Sequence, residues 1–253
     1  MNDSELERYS RHILMPQIDL DGQLAIGAAH VVVVGLGGLG SPVALYLAAS
    51  GVGKLTLIDP DRVELSNLQR QVLHSEKSLG QSKVRSAADR LHQMNTKLHI
   101  VEMPVVANSE TLAELSDEVT VVVDCTDNAA VRYDLNRWCL QRKVPWVSGA
   151  AAGLSGQLMV FSPGNPESPC YACLYPQQPE VSENCSETGV LSPLLGIIGS
   201  LQATEVLRLI TGFGKPQAGN MQIWDVAEGC LQTIRLPCLT DCHECNRTAD
   251  TGR

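Results

Sequence analysis

A chain of 253 residues with 44% hydrophobic side chains can bury a sizeable core, which excludes a disordered tail or linker. Its 19 Lys and Arg against 28 Asp and Glu give a net charge of −9, which excludes nucleic acid or another polyanion held mainly by electrostatics. Residues 1–8 are charged and lack an apolar run before a small-residue cleavage site, so the sequence reads as non-secretory and cytoplasmic. Its nine cysteines then read as reduced thiols or metal ligands rather than a disulfide framework.

In chain order, residues 4–28 read as a helical segment docked through Leu6, Tyr9, Ile13 and Leu14 on one face. His30-Val31-Val32-Val33-Val34 reads as a buried strand, residues 42–49 as a helix ended by Gly51, and 54–59 as a second strand, together one βαβ unit. The uncharged stretch 31–53 has the length of a membrane span, but its glycines and Pro42 favour strand, turn and buried helix, and no membrane association is expected. Helices over 83–94 and 129–142 and strands over 98–104, 119–124 and 145–147 continue the alternation, which predicts an α/β fold with a parallel sheet. A strand over 156–161 opens a less regular half. Residues 163–189, rich in Pro, Ser, Glu and Asn, read as a long surface loop of the kind that carries function. An almost uncharged helix over 191–210 and closing strands over 221–225 and 230–236 complete the chain.

Gly35-Leu36-Gly37-Gly38-Leu39-Gly40 fits G-x-G-x-x-G between a strand and a helix, where Gly35, Gly37, Gly38 and Gly40 let the backbone approach a phosphate. Asp59 closes the next strand and suits ribose hydroxyls. This much also describes a nicotinamide dehydrogenase, or a tight turn with no ligand. The residues downstream point elsewhere: Ser66, Asn67, Leu68, Gln69, Arg70 and Gln71 put an amide and a guanidinium beyond the ribose site. Lys83 adds a second cation at a helix start, and such cations suit a triphosphate. Asp124-Cys125-Thr126-Asp127-Asn128 lies at the C-terminal end of a strand, the edge where open parallel sheets bind ligands, and Asp127 is the candidate Mg²⁺ ligand.

Cys170-x-x-Cys173 and Cys242-x-x-Cys245 are two chelating pairs, and four thiolates suit a tetrahedral structural Zn²⁺ that ties the central loop to the tail. A redox pair or incidental thiols are the competing readings. Cys185, in a polar stretch, is a candidate nucleophile. Cys125, Cys139 and Cys230 fall in regular elements and read as buried hydrophobes. Cys238 and His243 lie near the second pair without being needed by it, and the other histidines show no ligating spacing.

Taken together, Arg8-Tyr9-Ser10-Arg11, the glycine turn, Asp59, residues 66–71, Lys83 and residues 124–128 resemble the MoeB/ThiF/HesA family, prokaryotic relatives of ubiquitin-activating enzymes, over nearly the whole chain. The resemblance implies a Rossmann-like, mainly parallel sheet continuing into an antiparallel half with a zinc knuckle. It makes residues 1–253 one domain: a helical segment (1–28), a nucleotide-binding half (29–150) and a carrier-binding and zinc half (151–253). It implies a homodimer in which Arg11 reaches the other subunit's site. The implied chemistry is adenylation by ATP and Mg²⁺ of the C-terminal Gly-Gly carboxylate of a ubiquitin-like sulfur-carrier protein. Arg11, Arg70, Lys83 and Asp127 would serve that step, and a separate protein would donate the sulfur. Cys185 matches a cysteine that forms an acyl-persulfide in ThiF enzymes. The carrier expected first is the small subunit of molybdopterin synthase, favoured by Ser148-Gly149-Ala150-Ala151 and Gly212-Phe213-Gly214-Lys215-Pro216. A thiamine-pathway carrier is the alternative, suggested by Arg8–Arg11 and Gly156-Gln157-Leu158-Met159-Val160.

Overall fold

The valine run of the first strand sits near the middle of an eight-stranded sheet in the computed structural model, which describes residues 1–176, 189–215 and 217–245. The strands are β1 (His30–Val34), β2 (Lys54–Ile58), β3 (His99–Met103), β4 (Val121–Asp124), β5 (Trp146–Ala152), β6 (Ser155–Phe161), β7 (Asn220–Asp225) and β8 (Cys230–Arg235), in the spatial order β3-β2-β1-β4-β5-β6-β7-β8. The pairings from β3 to β5 are parallel, and those from β5 to β8 are antiparallel. Val31 pairs with both Leu55 and Val121, so β1 has neighbours on both sides. A strand covered on both faces needs apolar side chains in both directions, which is why five consecutive residues, His30 to Val34, are all buried.

The two faces build two cores. Val31 and Val33 join α4 (Gly40–Ser50), α5 (Lys83–Met94) and α9 (Ser192–Thr211) on one side. Val32 and Val34 join α6 (Ser109–Ala113), α7 (Ala129–Arg142) and α8 (Tyr171–Leu174) on the other. There Trp146 stacks on Phe161, with ring centroids 4.6 Å apart, and Tyr171 meets Tyr133 edge to face. Helix α9 has the length and composition of a membrane span, yet it packs on α4, β5 and β6 as the helix beneath the central sheet.

Several expectations change. Residues 4–28 form three helices rather than one: α1 (Asp3–Arg8), α2 (Ser10–Ile13) and α3 (Asp19–Ala28). Pro16 and the positive φ of Asp19 (52°) lie where the second and third part. Leu6 and Leu14 are exposed and Ile13 is half-buried, so the apolar face does not dock as one stripe. The start of the segment is held by other contacts: Arg8 donates to the Met94 carbonyl (2.8 Å), Asn95 donates to the Tyr9 hydroxyl (3.2 Å), and the Tyr9 ring lies where a Cβ at Gly51 would be, while further along Ile18 and Ile26 are buried in the core. Strand β5 extends to Ala152, α6 was not foreseen, and α8 interrupts the segment read as loop. Cys125 and Cys139 are buried as expected, whereas Cys230, on edge strand β8, is only half-buried.

Candidate active site

Strand β1 leads into the glycine turn, and β4, its neighbour, leads into residues 125–128, so the two segments meet where the sheet order reverses. Open parallel sheets bind ligands at that point. A cavity of about 840 Å³ opens there. It is lined by Gly35, Gly37, Gly38, Asp59, Asn67, Gln69, Arg70, Lys83, Asp127 and Asn128, all expected from the sequence.

The turn is held by its neighbours. Gly35 has φ 89°, and a Cβ there would lie 2.9 Å from the Cys125 carbonyl oxygen. The Leu36 peptide is gripped at both ends: its N–H donates to Asp59 Oδ2 (2.7 Å), and its carbonyl accepts from His74 Nε2 (3.0 Å). A carbonyl only accepts, so His74 carries its proton on Nε2 and takes the Ser86 hydroxyl at Nδ1 (2.9 Å). Asp59 also accepts from the Asp61 N–H (2.9 Å), leaving further lone pairs on a carboxylate only 5% exposed. Asp61 in turn accepts from Lys83 twice, from its N–H at the carbonyl (2.9 Å) and from Nζ at the carboxylate (2.8 Å). The Lys83 ammonium is thereby fixed beside the turn with its side chain 7% exposed. Arg70 donates to the Ser66 carbonyl (3.0 Å), and Gln69 accepts from Ser192 (2.7 Å), tying the 66–71 segment to α9.

The end of β4 is a second rigid node. Asp124 is fully buried and accepts from Thr126 N–H (2.9 Å), Thr126 Oγ1 (2.7 Å), Ser148 Oγ (2.7 Å) and Arg132 Nε (3.0 Å). Arg132 also donates to the carbonyls of Thr126 (2.6 Å) and Gly149 (3.2 Å). Asn128 caps α7 by accepting from the N–H groups of Ala130 and Val131, and Asp127 is left exposed at the cavity wall. Burial pushes the Cys125 thiol well up, and its Sγ lies 3.8 Å from Gln202 Oε1, so it stays protonated and is no nucleophile.

Some expected residues stand elsewhere. Gly40 does not line the cavity; a Cβ there would collide with the Gly35 carbonyl, so its role is close packing of turn on helix. Ser66 and Leu68 also lie off the cavity wall: Ser66 Oγ donates to Glu64 and accepts from Asn67 Nδ2 (3.4 Å), and its carbonyl accepts from Arg70. Arg11 is exposed on α2 and does not line the cavity of its own chain. Cys185 lies outside the described residues. The sequence reading passed over Asp61, Arg132 and Gln202. The acid two residues past Asp59 was a signal for the first of these.

Off the cavity wall, Cys170, Cys173, Cys242 and Cys245 place their Sγ atoms within 4.8 Å of one another, a group that can hold a metal ion. Neighbouring sulfurs are 3.5–3.7 Å apart. Cys238 and His243 stand outside the group.

Comparison with known proteins agrees with this geometry. The ThiF family matches residues 9–245. The chain belongs to the ThiF family. Among its ThiF relatives, molybdopterin-synthase adenylyltransferase of Escherichia coli K12 is 44% identical over 247 residues, covering 98% of this chain and 99% of that protein. Adenylyltransferase and sulfurtransferase MOCS3-1 of Zea mays is 44% identical over 243 residues, and the chain spans about half (52%) of its length. Of solved structures, E. coli MccB crystallised with ATP superposes with a TM-score of 0.82 at 24% identity, over 96% of this chain and 75% of that one. PaaA superposes with 0.78 at 26% identity, over 94% and 76%. These likenesses confirm the ThiF fold of the parallel sheet with its antiparallel extension.

Proposed function

We propose that this protein adenylates the C-terminal carboxylate of a ubiquitin-like sulfur-carrier protein with ATP, the carrier being the small subunit of molybdopterin synthase. The observation that carries the reading is the convergence of the glycine turn, Asp59, Asn67, Arg70, Lys83 and Asp127 on one cavity, in a chain that shares 44% of its residues with a molybdopterin-synthase adenylyltransferase along its whole length. A dehydrogenase would not need two cations beyond the ribose carboxylate.

The carrier's terminal carboxylate is ionised at neutral pH and attacks the α-phosphate, expelling pyrophosphate, so no general base is required. The work is positioning and charge neutralisation. The Gly37–Gly38 backbone supports the phosphates, Asp59 receives the ribose hydroxyls, and Lys83, aimed by Asp61, meets the charge with Arg70 and Asn67. Asp127 is an exposed carboxylate on the cavity wall, without a hydrogen-bond partner among the described residues. This fits Mg²⁺, which takes one or two carboxylates and fills the rest of its shell with phosphate oxygens and water; bound there, it would neutralise phosphate charge. Arg11, exposed and not lining its own cavity, would serve the cavity of a second copy, in a cytoplasmic homodimer. The four-cysteine group fits Zn²⁺: tetrahedral Zn–S bonds of about 2.3 Å place sulfurs roughly 3.8 Å apart, near the spacing observed. A separate protein supplies the sulfur after adenylation. The names of the relatives favour the molybdopterin carrier over a thiamine-pathway one.

ATP–pyrophosphate exchange is the test. Exchange should require Mg²⁺ and the molybdopterin-synthase small subunit ending in Gly-Gly, and mass spectrometry of that carrier should show the acyl-adenylate. Exchange without the carrier, or none with any Gly-Gly carrier, would rule the reading out.

A further inference from the structure

We infer that Asn136 is a positioning residue of the four-cysteine metal centre: its carboxamide oxygen fixes the turn between Cys170 and Cys173, and its amide donates to the Cys170 thiolate when metal is bound. This rests on the reading of the four cysteines as a zinc site.

Asn136 lies on α7 and is fully buried. Its Oδ1 accepts from the Tyr171 N–H (2.9 Å), the first peptide after Cys170 in the turn Cys170-Tyr171-Ala172-Cys173. A peptide N–H only donates, so the oxygen end of the carboxamide is the one at Tyr171, and the Nδ2 end is turned elsewhere. There Nδ2 has no hydrogen-bond partner among the described residues. A buried donor left so is costly, and native structures seldom keep one without an ion, ligand or water to complete it.

The surroundings narrow what completes it. Asn136 and Cys170 border the same small cavity, whose volume of about 10 Å³ is at the lower limit for one water. Of the side chains around that cavity, only Ser168 and Cys170 can accept a hydrogen bond from Asn136. The Ser168 hydroxyl is already engaged twice, accepting from the Ser162 N–H (2.9 Å) and donating to the Pro169 carbonyl (3.3 Å). The Cys170 sulfur is left. As a thiol it accepts weakly; as a metal-bound thiolate it carries charge, and four thiolates outweigh the two charges of Zn²⁺, so a donor beside them is stabilising. The same turn of α7 also reaches the second ligand pair, because Arg137 donates to Glu244 (2.9 Å), the neighbour of Cys245. Successive residues of one helix thus brace both halves of the ligand set.

Zinc affinity, measured on the whole chain by chelator competition, tests the assignment. Asn136→Leu keeps the approximate volume and removes both polar ends, and it should bind zinc about ten-fold or more weakly than wild type. Asn136→Asp keeps the oxygen that Tyr171 requires and sets an acceptor in place of Nδ2, so it should fold like wild type and still bind zinc about ten-fold more weakly. Cobalt in place of zinc gives a signature that a residue needed only for folding would leave unmoved. Losing an N–H···S bond raises the electron density on the Cys170 sulfur, so the thiolate-to-cobalt charge-transfer band should shift to longer wavelength in both variants. Wild-type zinc affinity in either folded variant, or an unmoved cobalt band in the aspartate one, would overturn the inference and leave the zinc site standing. Should the leucine variant fail to fold, the nearly isosteric aspartate variant decides alone. A wild-type protein that binds neither zinc nor cobalt would overturn the site reading and this inference with it.

Discussion

Four glycines of one motif do different physical work. Gly35 adopts a left-handed φ as the turn passes the Cys125 carbonyl, and Gly38 makes room for Leu195 of α9. Gly40 packs against the Gly35 carbonyl, while at Gly37 an added Cβ would meet its nearest neighbour, Gln71, at an ordinary 3.6 Å. Gly40→Ala is therefore expected to cost about 3 kcal/mol by overpacking against backbone that cannot retreat, seen as a melting temperature lower by roughly 10 °C. Gly37→Ala should melt like wild type and lose ATP affinity instead, because its methyl occupies the cavity side of the turn. Equal melting temperatures for the two variants would contradict this division. The motif spacing made all four glycines visible, but not which of them touch ligand and which touch protein.

Between elements, buried histidines act as clamps. His30, at the start of β1, bonds Thr56 of β2 (2.8 Å), and His74 joins the glycine turn to Ser86 of α5. Burial, with Lys54 nearby, lowers His30 from its ordinary 6.5 to about 4; burial also lowers His74, beside Lys83. In the unfolded chain both titrate near about 6.5. Between about pH 6.5 and 4 the unfolded chain takes up protons that the folded one refuses, so stability falls as pH drops through that window and is level in this respect above it. His30→Gln removes one such site. The gap in melting temperature between wild type and this variant should narrow as pH falls from about 7 to 4, and a constant gap would disprove the assignment. These histidines had no ligating spacing in the sequence because they bind other elements of the fold rather than a ligand. The helical segment before β1 misled for a related reason: Leu6 and Leu14 repeat at helical spacing yet stay exposed, while Arg8 and Tyr9 fix its start by polar contacts to residues 94 and 95 and Ile18 and Ile26 bury further along, none of which local periodicity records.

Over the whole molecule, the four-cysteine group joins α8, before the long helix α9, to the tail beyond β8. Metal bound there would close a long stretch of chain and dock the tail on the core that contains Tyr171. Purified protein should carry one zinc per chain by elemental analysis. Cys242→Ser should lose that zinc and lower the melting temperature, and folded protein free of metal after chelator-free purification would refute the assignment. Spacing within each Cys-x-x-Cys pair made the ligands legible, since two thiols at that separation chelate wherever the chain carries them. The βαβ rhythm, the glycine turn and Asp59 were legible for the same reason: strand period, turn chemistry and helix start are local properties of a few neighbouring residues. What tertiary structure alone decided is which of these local signals share a site. The topological switch point brings Asp127 to the glycine turn, Asp61 turns Lys83 from a surface charge into a buried, aimed one, and Gln71 is buried beside Gly37. Such assignments depend on burial and on distances between segments far apart in sequence, and no local pattern encodes either.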